Sequence, residues 1–394
     1  MKNLKQILVS AFTTILIVSL VLYFTVSHVF AQNLKTYKGD NNFSWSVPKL
    51  DSAKKTVFII ASNAGTEMFD FMAPYYLFNA TGQANVYVVA EKKAPVLLVN
   101  SLFILPHYTF SEIDSMQITP DVIVIPNVTI HLKEPPKEII VNWVKSQCKE
   151  TTILLAICDG AATAAATGLY DGKPLTTHAS DLGKLKKKFP KPLWVANTSV
   201  TESGNLYSTA GVSNATEGSL TVIKRVFGEE TMQTVRKDIH YQQDTIKVAH
   251  QSKVVTTGTI TRIIAKKAFQ KDYKVGVLIS DHVNEFELAS LLDTYTRTFP
   301  ASLNTFTING APVTSKFGLQ LYPTGEVKNN NVNELHVINA RASQLAGHPL
   351  FPKAKVVAYT TASAQYPIEL YLDRIGLLYG DKFKSCVKLM LDYN

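Results

Sequence analysis

Cysteine is scarce in this chain, with three residues among 394: Cys148, Cys158 and Cys386. An odd number of widely separated cysteines argues against a disulfide framework, and there is no CxxC spacing of the kind that binds structural metals. The pattern therefore gives no reason to expect a metal or another cofactor. It leaves open that one of the three cysteines is a reactive thiol.

Charged residues are also few, at 18% of the chain, whereas 46% of the residues are hydrophobic. This composition excludes a disordered protein, and the length favours two domains over one. The formal net charge is +9. Part of it comes from the lysine-rich segment 183–192, which we expect to be a solvated loop, with contact to an anionic surface as the alternative.

Cys158 lies at a break between two regular elements. Ile153–Ile157 is a short apolar run typical of a buried strand, Cys158–Gly160 interrupts it, and Ala161–Leu169 is small and helix-prone. Such a nucleophile elbow exposes a side chain at the end of a parallel sheet. The backbone N–H groups of the following helix favour a thiolate, so a lowered thiol pKa is expected. The alternative is a small buried cysteine with a packing role.

The N-terminus contains the longest apolar run, from Ile7 to Val26, preceded by Lys2 and Lys5. Its length predicts one transmembrane helix, and the charges place the globular part outside the cytoplasm, anchored to the cell membrane. The alternative is a signal segment cleaved after Ala31, which gives a secreted protein. Residues 1–31 are thus an anchor or signal segment, and residues 32–53 are predicted to be a linker.

Strands and helices alternate from about residue 54. Thr56–Ser62 and Ala84–Ala90 are predicted strands, and Glu67–Thr81 between them is a predicted helix. This order predicts an α/β, flavodoxin-like fold, with a parallel sheet sandwiched between helices. Ligands bind such sheets at the carboxyl ends of the strands, where Cys158 lies.

Three sequence motifs carry a family resemblance: A-I-C-x-G-A, G-L-Y-D-G-K-P-L-T-T-H and G-N-L-Y-S-T-A-G-V-S, in that order. Over about residues 55–241 the chain resembles the ThiJ/PfpI family of the class I glutamine amidotransferase-like fold. It is most similar to the branch that contains isocyanide hydratases and the ligand domains of AraC-type regulators. We assign residues 54–245 to this domain.

The resemblance implies three catalytic residues. Cys158 matches the elbow nucleophile, Asp70 in D-F-M-A-P matches an acid that stays protonated and donates a hydrogen bond to the sulfur, and His178 in T-T-H matches a histidine near the pocket. On position alone, Asp70 could equally be a first-turn helix acid and His178 a structural residue. The resemblance also implies that an oxyanion or ligand would contact three further residues: Asp159, Gly160 and Asn127.

The chain departs from the family pattern at two places in this site. Asp159 stands where proteases of the family have a histidine, which argues against a protease. The P-G-G turn of the family is Pro126-Asn127-Val128 here, so the second oxyanion donor could be misplaced. No helix-turn-helix follows the domain, and we expect no nucleic-acid partner.

Residues 272–394, after a predicted linker at 246–271, repeat the domain in shortened form. A constant offset of 152 residues pairs Tyr207 with Tyr359, and it also pairs these residues: Thr209 with Thr361, Ala210 with Ala362, Glu217 with Glu369, Leu220 with Leu372, Gly228 with Gly380 and Tyr241 with Tyr393. The repeat has no strand-cysteine-helix segment. We expect this tandem, degenerate copy to act as an internal pseudo-dimer partner that keeps the protein monomeric; the alternative is a decayed domain without a role.

Two functions remain open from the sequence. In the first, the protein is a cysteine-dependent hydrolase or hydratase that acts on a small electrophile through Cys158. In the second, the same pocket binds a small molecule without turnover, as in a sensor or binding protein. Both have a small-molecule partner.

Overall fold

The computed structural model describes residues 34–39, 43–99, 101–128, 134–242, 245–246, 248–270, 272–326, 331–338, 351–359 and 364–393. The α-helices in these ranges are α1 Met68–Ala80, α2 Phe110–Met116, α3 Glu138–Gln147, α4 Gly160–Ala166, α5 Leu182–Lys188, α6 Ala215–Phe227, α7 Glu229–Asp238, α8 Thr257–Phe269, α9 Glu285–Thr296, α10 Pro367–Tyr379 and α11 Asp381–Met390.

The first half of the chain contains eleven of the described strands. They are β1 Lys55–Ile60, β2 Ala84–Ala90, β3 Val96–Leu98, β4 Leu102–Ile104, β5 Tyr108–Thr109, β6 Val122–Ile125, β7 Ile153–Ala156, β8 Pro174–Leu175, β9 Leu193–Trp194, β10 Val200–Ser203 and β11 Leu206–Thr209. Seven of these form one sheet in the order β10-β11-β7-β6-β1-β2-β5, which is parallel apart from β10. β8 and β9 pair separately.

The central strands of this sheet are almost continuously buried and mostly apolar because helices cover both faces. β1, for example, is buried from Thr56 to Ile60, and its Val57 pairs with Val86 on one side and Val122 on the other. The predicted α/β architecture with a parallel sheet is therefore confirmed. β7 ends at Ala156, so Cys158 lies at the carboxyl edge of the sheet.

The second half forms a smaller parallel sheet in the order β13-β12-β16-β17. Its strands and those of a nearby hairpin are β12 Lys274–Leu278, β13 Ser302–Phe306, β14 Val313–Thr314, β15 Gln320–Pro323, β16 Glu334–Val337 and β17 Lys355–Ala358. The β14–β15 hairpin pairs with β4 of the first half, giving an antiparallel sheet β14-β15-β4-β3 that spans both halves.

One hydrophobic core continues from the first half into the second. α1 packs against α9, and the rings of Phe69 and Phe286, near the starts of these helices, lie 5.3 Å apart. Tyr366, just before α10, contacts Phe286 from the other side. Because each half buries apolar surface of the other, the two sheets are parts of one packed body.

The described part of the segment 32–53 also packs on both halves. Four of its residues, Leu34, Tyr37, Phe43 and Trp45, cover a cluster of Leu97, Phe103, Leu105 and Tyr322. The Lys35 ammonium donates hydrogen bonds to Leu303 O at 2.8 Å and Asn304 Oδ1 at 2.6 Å. Burial lowers the pKa of Lys35 to about 8. This segment therefore adds cross-half contacts in a region that the sequence analysis assigned to a linker.

The structure corrects the expected fold class in one respect. Among the described helices none is long and apolar enough to span a bilayer. The longest have 13 residues, about 20 Å at 1.5 Å per residue, which is short of a hydrocarbon core of about 30 Å. The predicted transmembrane helix, and the predicted location in the cell membrane or outside the cell, are withdrawn. Ile7–Val26 and Ala31 lie outside the described residues.

Candidate functional site

The backbone around Cys158 forms a strained turn between β7 and α4. Cys158 has a φ of 54°, in the left-handed region that non-glycine residues seldom adopt. Position 160 requires a glycine, because its backbone packs against the end of β6. A Cβ there would be 2.1 Å from Ile125 O and 2.7 Å from Pro126 O. A strained residue held in place by such close packing is typical of a functional position.

The Cys158 thiol is enclosed, and the residue is only 3% exposed. Its backbone N–H donates to Thr209 Oγ1 at 3.3 Å, and its carbonyl accepts from Thr177 Oγ1 at 3.0 Å. Burial raises the pKa of the thiol well above its usual value, and the carboxyl groups of Asp70, Asp159 and Glu67 raise it further, whereas the backbone N–H of Asp159 lowers it. The expected lowering of the thiol pKa is thus reversed, because burial and three acids outweigh the helix N–H groups.

Asp70 lies in the first turn of α1 and is fully buried. Its Oδ2 accepts from Asn127 N at 3.2 Å, while its Oδ1 has no hydrogen-bond partner among the described residues. Burial, and then the charge of Glu67, raise the pKa of Asp70 well above its usual value, which favours the protonated carboxyl. Its predicted hydrogen bond to the sulfur is not formed within the described residues.

Asn127 connects the turn after β6 to the start of α1. Its N–H donates to Asp70, and its carbonyl accepts from Glu67 N at 2.9 Å. The N–H that the family pattern would direct at an oxyanion is therefore bonded to the acid instead. This hydrogen bond occurs in a chain that has Pro126-Asn127-Val128 in place of the P-G-G turn of the family.

His178 makes two hydrogen bonds that define its tautomer. Nδ1 accepts from Ser180 N at 3.2 Å, which leaves Nε2 to carry the proton and donate to Met390 O at 3.2 Å. Both ring nitrogens are thus engaged, and neither is available as a base for Cys158 in this conformation.

Asp159, the residue after the nucleophile, is buried beside His178. Its Oδ1 accepts from Thr177 Oγ1 at 2.8 Å. Burial first, and then the charge of Asp181, raise the pKa of Asp159 to about 7, although His178 opposes the shift. This carboxyl is therefore partly protonated near neutral pH and can exchange a proton in the site.

Comparisons with known proteins assign the domain that holds this site. The model of the DJ-1/PfpI family matches residues 54–225. The chain contains a DJ-1/PfpI family domain. The chain is 24% identical over 175 residues to an isonitrile hydratase of Pseudomonas putida, a match that covers 44% of this chain and 74% of the relative.

Solved structures with the same kind of domain include Drosophila melanogaster DJ-1beta, at 23% identity and a TM-score of 0.42, covering 47% of this chain and 97% of that one. A THiJ/PfpI family protein from Pseudomonas syringae is 19% identical with a TM-score of 0.44, covering 60% of this chain and 94% of that one. The family resemblance inferred from the motifs is confirmed by the family model that matches residues 54–225.

The second half of the chain closes the DJ-1/PfpI site with charged residues that the sequence analysis missed. Arg297, just after α9, contacts Asp293 of the same helix and Glu67 Oε1 at 3.4 Å, and its Nε donates to Met390 O at 3.1 Å. Burial lowers the pKa of Arg297, but the charges of Asp293 and Glu67 outweigh this effect and raise it above its usual value. The i, i+4 spacing of Asp293 and Arg297 was the available signal for a helix ion pair.

Asp392 forms a second contact between the C-terminal segment and the DJ-1/PfpI domain. Its Oδ2 accepts from Ala179 N at 3.1 Å, and its Oδ1 lies 2.9 Å from His250 Nε2. Gly211 provides the space, because a Cβ there would be 2.1 Å from Asp392 Cβ. The segment after α11 is therefore held against the residue next to His178.

Metal binding finds no support in the part of the chain that the structure describes. Nowhere in those ranges do three or more histidine, cysteine or acidic side chains form a group that could hold a metal ion. The groups that remain for chemistry are the thiol of Cys158 and the carboxyls of Asp70 and Asp159.

Proposed function

We propose that the DJ-1/PfpI domain catalyses the cysteine-dependent hydration or hydrolysis of a small electrophile at Cys158. The observation that carries this proposal is a thiol held at a φ of 54° near a buried acid, Asp70, whose pKa is raised and whose Oδ1 has no partner among the described residues. The strained thiol is the nucleophile, and Asp70 is the group that moves a proton.

An isonitrile, R–N≡C, is the substrate that we propose to test first, because the relative from Pseudomonas putida is named an isonitrile hydratase. Addition of the thiol forms an S–C bond and places a proton on the same carbon, giving R–N=CH–S–enzyme. Water then adds to that carbon and the C–S bond breaks, which restores the thiol and releases the formamide R–NH–CHO. In the first step Asp70 would donate its proton to the isonitrile carbon and take up the proton that the thiol loses. In the second step it would take a proton from the attacking water and deliver one to the imine nitrogen, and the remaining hydroxyl proton returns to the departing sulfur.

Binding without turnover is the second candidate, and three features favour it. The Asn127 N–H is bonded to Asp70, both nitrogens of His178 are engaged, and burial raises the thiol pKa. The first feature removes a donor that would stabilise an oxyanion, the second removes a base, and the third disfavours the reactive thiolate. A small molecule could then occupy the site, as in a sensor, without reacting.

The test is to incubate the protein with an alkyl isonitrile and follow formamide by NMR. We expect turnover by the parent protein, none by Cys158→Ser, and a loss of about 100-fold or more in Asp70→Asn. Cys148→Ser is the matched control, since Cys148 is a half-buried cysteine at the end of α3, and it should retain full activity. Absence of turnover, together with an isonitrile-induced rise in melting temperature that survives in Cys158→Ser, would instead support the sensor.

A further inference from the structure

A basic cleft lies beside α11, the helix whose last residue, Met390, contacts His178. It has a volume of about 770 Å³ and is bounded by residues 249–253, by α8 and by α11. One face of α11 forms its wall, because Lys382, Ser385, Cys386 and Leu389 follow the i, i+3, i+4, i+7 spacing of a single helix side. A cleft of this size accommodates a small organic molecule.

Four cationic side chains and no carboxylate line this cleft: Lys253, Arg262, Lys382 and Lys388. Lys253, Arg262 and Lys382 are exposed, and none of these three forms an ion pair with another described residue. A concave surface lined by charges of one sign concentrates the opposite charge. The cleft is therefore suited to a ligand that carries more than one negative charge.

The rest of the lining supplies hydroxyl oxygens and a small apolar surface. Thr259 and Ser385 contribute hydroxyl oxygens, and the Tyr393 ring and Leu389 contribute apolar contact. The Ser385 hydroxyl donates to Asp381 O at 2.8 Å, and Thr259 Oγ1 lies 3.2 Å from Thr256 Oγ1, so the donors open to a ligand are the cationic groups. The planar guanidinium of Arg262, one turn after Thr259 on α8, matches the oxygens of a phosphate group.

We propose that this cleft binds a phosphorylated small molecule that carries at least two negative charges. The four cations hold the phosphate oxygens, and the apolar surface at Leu389 and Tyr393 contacts the remainder of the ligand. Because α11 ends at Met390, whose carbonyl accepts from His178 and Arg297, the bound ligand also fixes the helix that closes the Cys158 site. The proposal does not depend on catalysis at Cys158.

Calorimetric titration of the full chain with pyrophosphate, at near-physiological salt, tests this proposal. We expect saturable binding that weakens at least tenfold in Arg262→Gln/Lys382→Gln. The matched control is Lys186→Gln/Lys187→Gln, which removes two charges from α5, outside the cleft, and should leave the affinity within twofold. Equal weakening by both double variants would show non-specific attraction and overturn the proposal, as would no binding by the parent chain.

A second titration tests the class of ligand. Citrate carries as much charge as pyrophosphate but has carboxylates instead of phosphate oxygens. We expect it to bind at least tenfold more weakly, since its charge is divided among three separate carboxylates, whereas pyrophosphate presents its charge on two adjacent phosphate groups to the cationic lining. Citrate affinity equal to or above that of pyrophosphate would overturn the assignment to phosphorylated ligands. Because neither titration measures turnover, failure here is distinguishable from failure of the proposed reaction at Cys158.

Discussion

The last two helices of the first half and the last two of the second half have the same lengths and lie 152 residues apart. α6 and α7 span 13 and 10 residues, and so do α10 and α11. The glycine between each pair has a similar left-handed φ, 89° at Gly228 and 82° at Gly380. A left-handed residue also follows each pair, His240 at 53° and Asp392 at 54°.

Side-chain contacts repeat with the same spacing. Tyr241 donates to Glu217 Oε1 at 2.8 Å, and Tyr393 donates to Glu369 Oε1 at 2.6 Å. Duplication of an ancestral domain, predicted from the sequence offset, accounts for both the backbone and the side-chain agreement. It remains a hypothesis, and residues 361 and 362 of the predicted register lie outside the described residues.

The two halves differ at the nucleophile elbow, the turn at Cys158 that follows β7. In the first sheet, β7 lies between β6 and β11, and the elbow and α4 follow it. In the second sheet, β17 lies directly beside β16, and Tyr359, the counterpart of Tyr207 in β11, comes just after it. Within its described residues, the second half therefore resembles the first half without the strand and the elbow, and β17 is the edge strand of its sheet. Its helix α9 contributes Asp293 and Arg297 to the remaining site instead.

Removing the second half is the most severe test of the comparison between the two halves. A chain of residues 34–250 would expose α1, including Phe69, and would leave β4 without its partner β15. We expect the short chain to dimerise or aggregate through this apolar face and open strand edge, while residues 34–394 stay monomeric. Light scattering measures both. A folded, monomeric short chain would show that the second half is an independent appendage.

Replacement of Arg297 tests the electrostatic link between the halves. Arg297→Gln leaves the partly buried Glu67 and the buried Asp293 without their cation, which should lower the free energy of unfolding by about 3 to 5 kcal/mol. Asp293→Asn/Arg297→Gln should be more stable than the single variant, because one acid is removed as well.

Urea unfolding gives the free energies for this series. Lys384→Gln is the control, as it removes an ion pair of the second half with the half-exposed Asp373, and it should change stability by less than about 1 kcal/mol. An Arg297→Gln protein as stable as the parent, or a double variant less stable than the single one, would argue against an ionic link between the halves.

The features that could be predicted from sequence are local ones. The apolar run at Ile153–Ile157 and the break after it were sufficient to place Cys158 at a strand end, and the motif around Asp70 placed this acid in the first turn of α1. Periodicity and turn residues act over a few positions, so each of these signals was complete within a short segment.

The features that could not be predicted depend on contacts between distant residues. Arg297 contacts Glu67, which is 230 residues away in the sequence, and Met390 contacts His178, which is 212 residues away. Nothing near any of these residues signals such a contact. The direction of the Cys158 pKa was wrong for the same reason, because local reasoning included the helix N–H groups but not the burial that packing imposes.

The smallest expected effect concerns Asp159, which occupies an elbow that the second half lacks. Burial raises its folded-state pKa from 3.8 to about 7, so the protonated form is favoured in the folded protein. Its contribution to stability is fully present below pH 4 and is lost as the pH rises towards 7. The free energy of unfolding should therefore decrease less between pH 5 and pH 8 in Asp159→Asn than in the parent, by on the order of 2 to 3 kcal/mol.

Urea unfolding at a series of pH values measures this difference. Asp171→Asn is the matched control, since Asp171 is an exposed acid paired with Lys191, and it should keep the slope of the parent. The other buried acids with raised pKa values, including Asp70 and Glu217, remain in both variants, so only the change in slope reports on Asp159. An Asp159→Asn protein with the pH dependence of the parent would mean that this carboxyl stays ionised in the fold, and Asp70 would then be left as the one proton donor proposed for the Cys158 site.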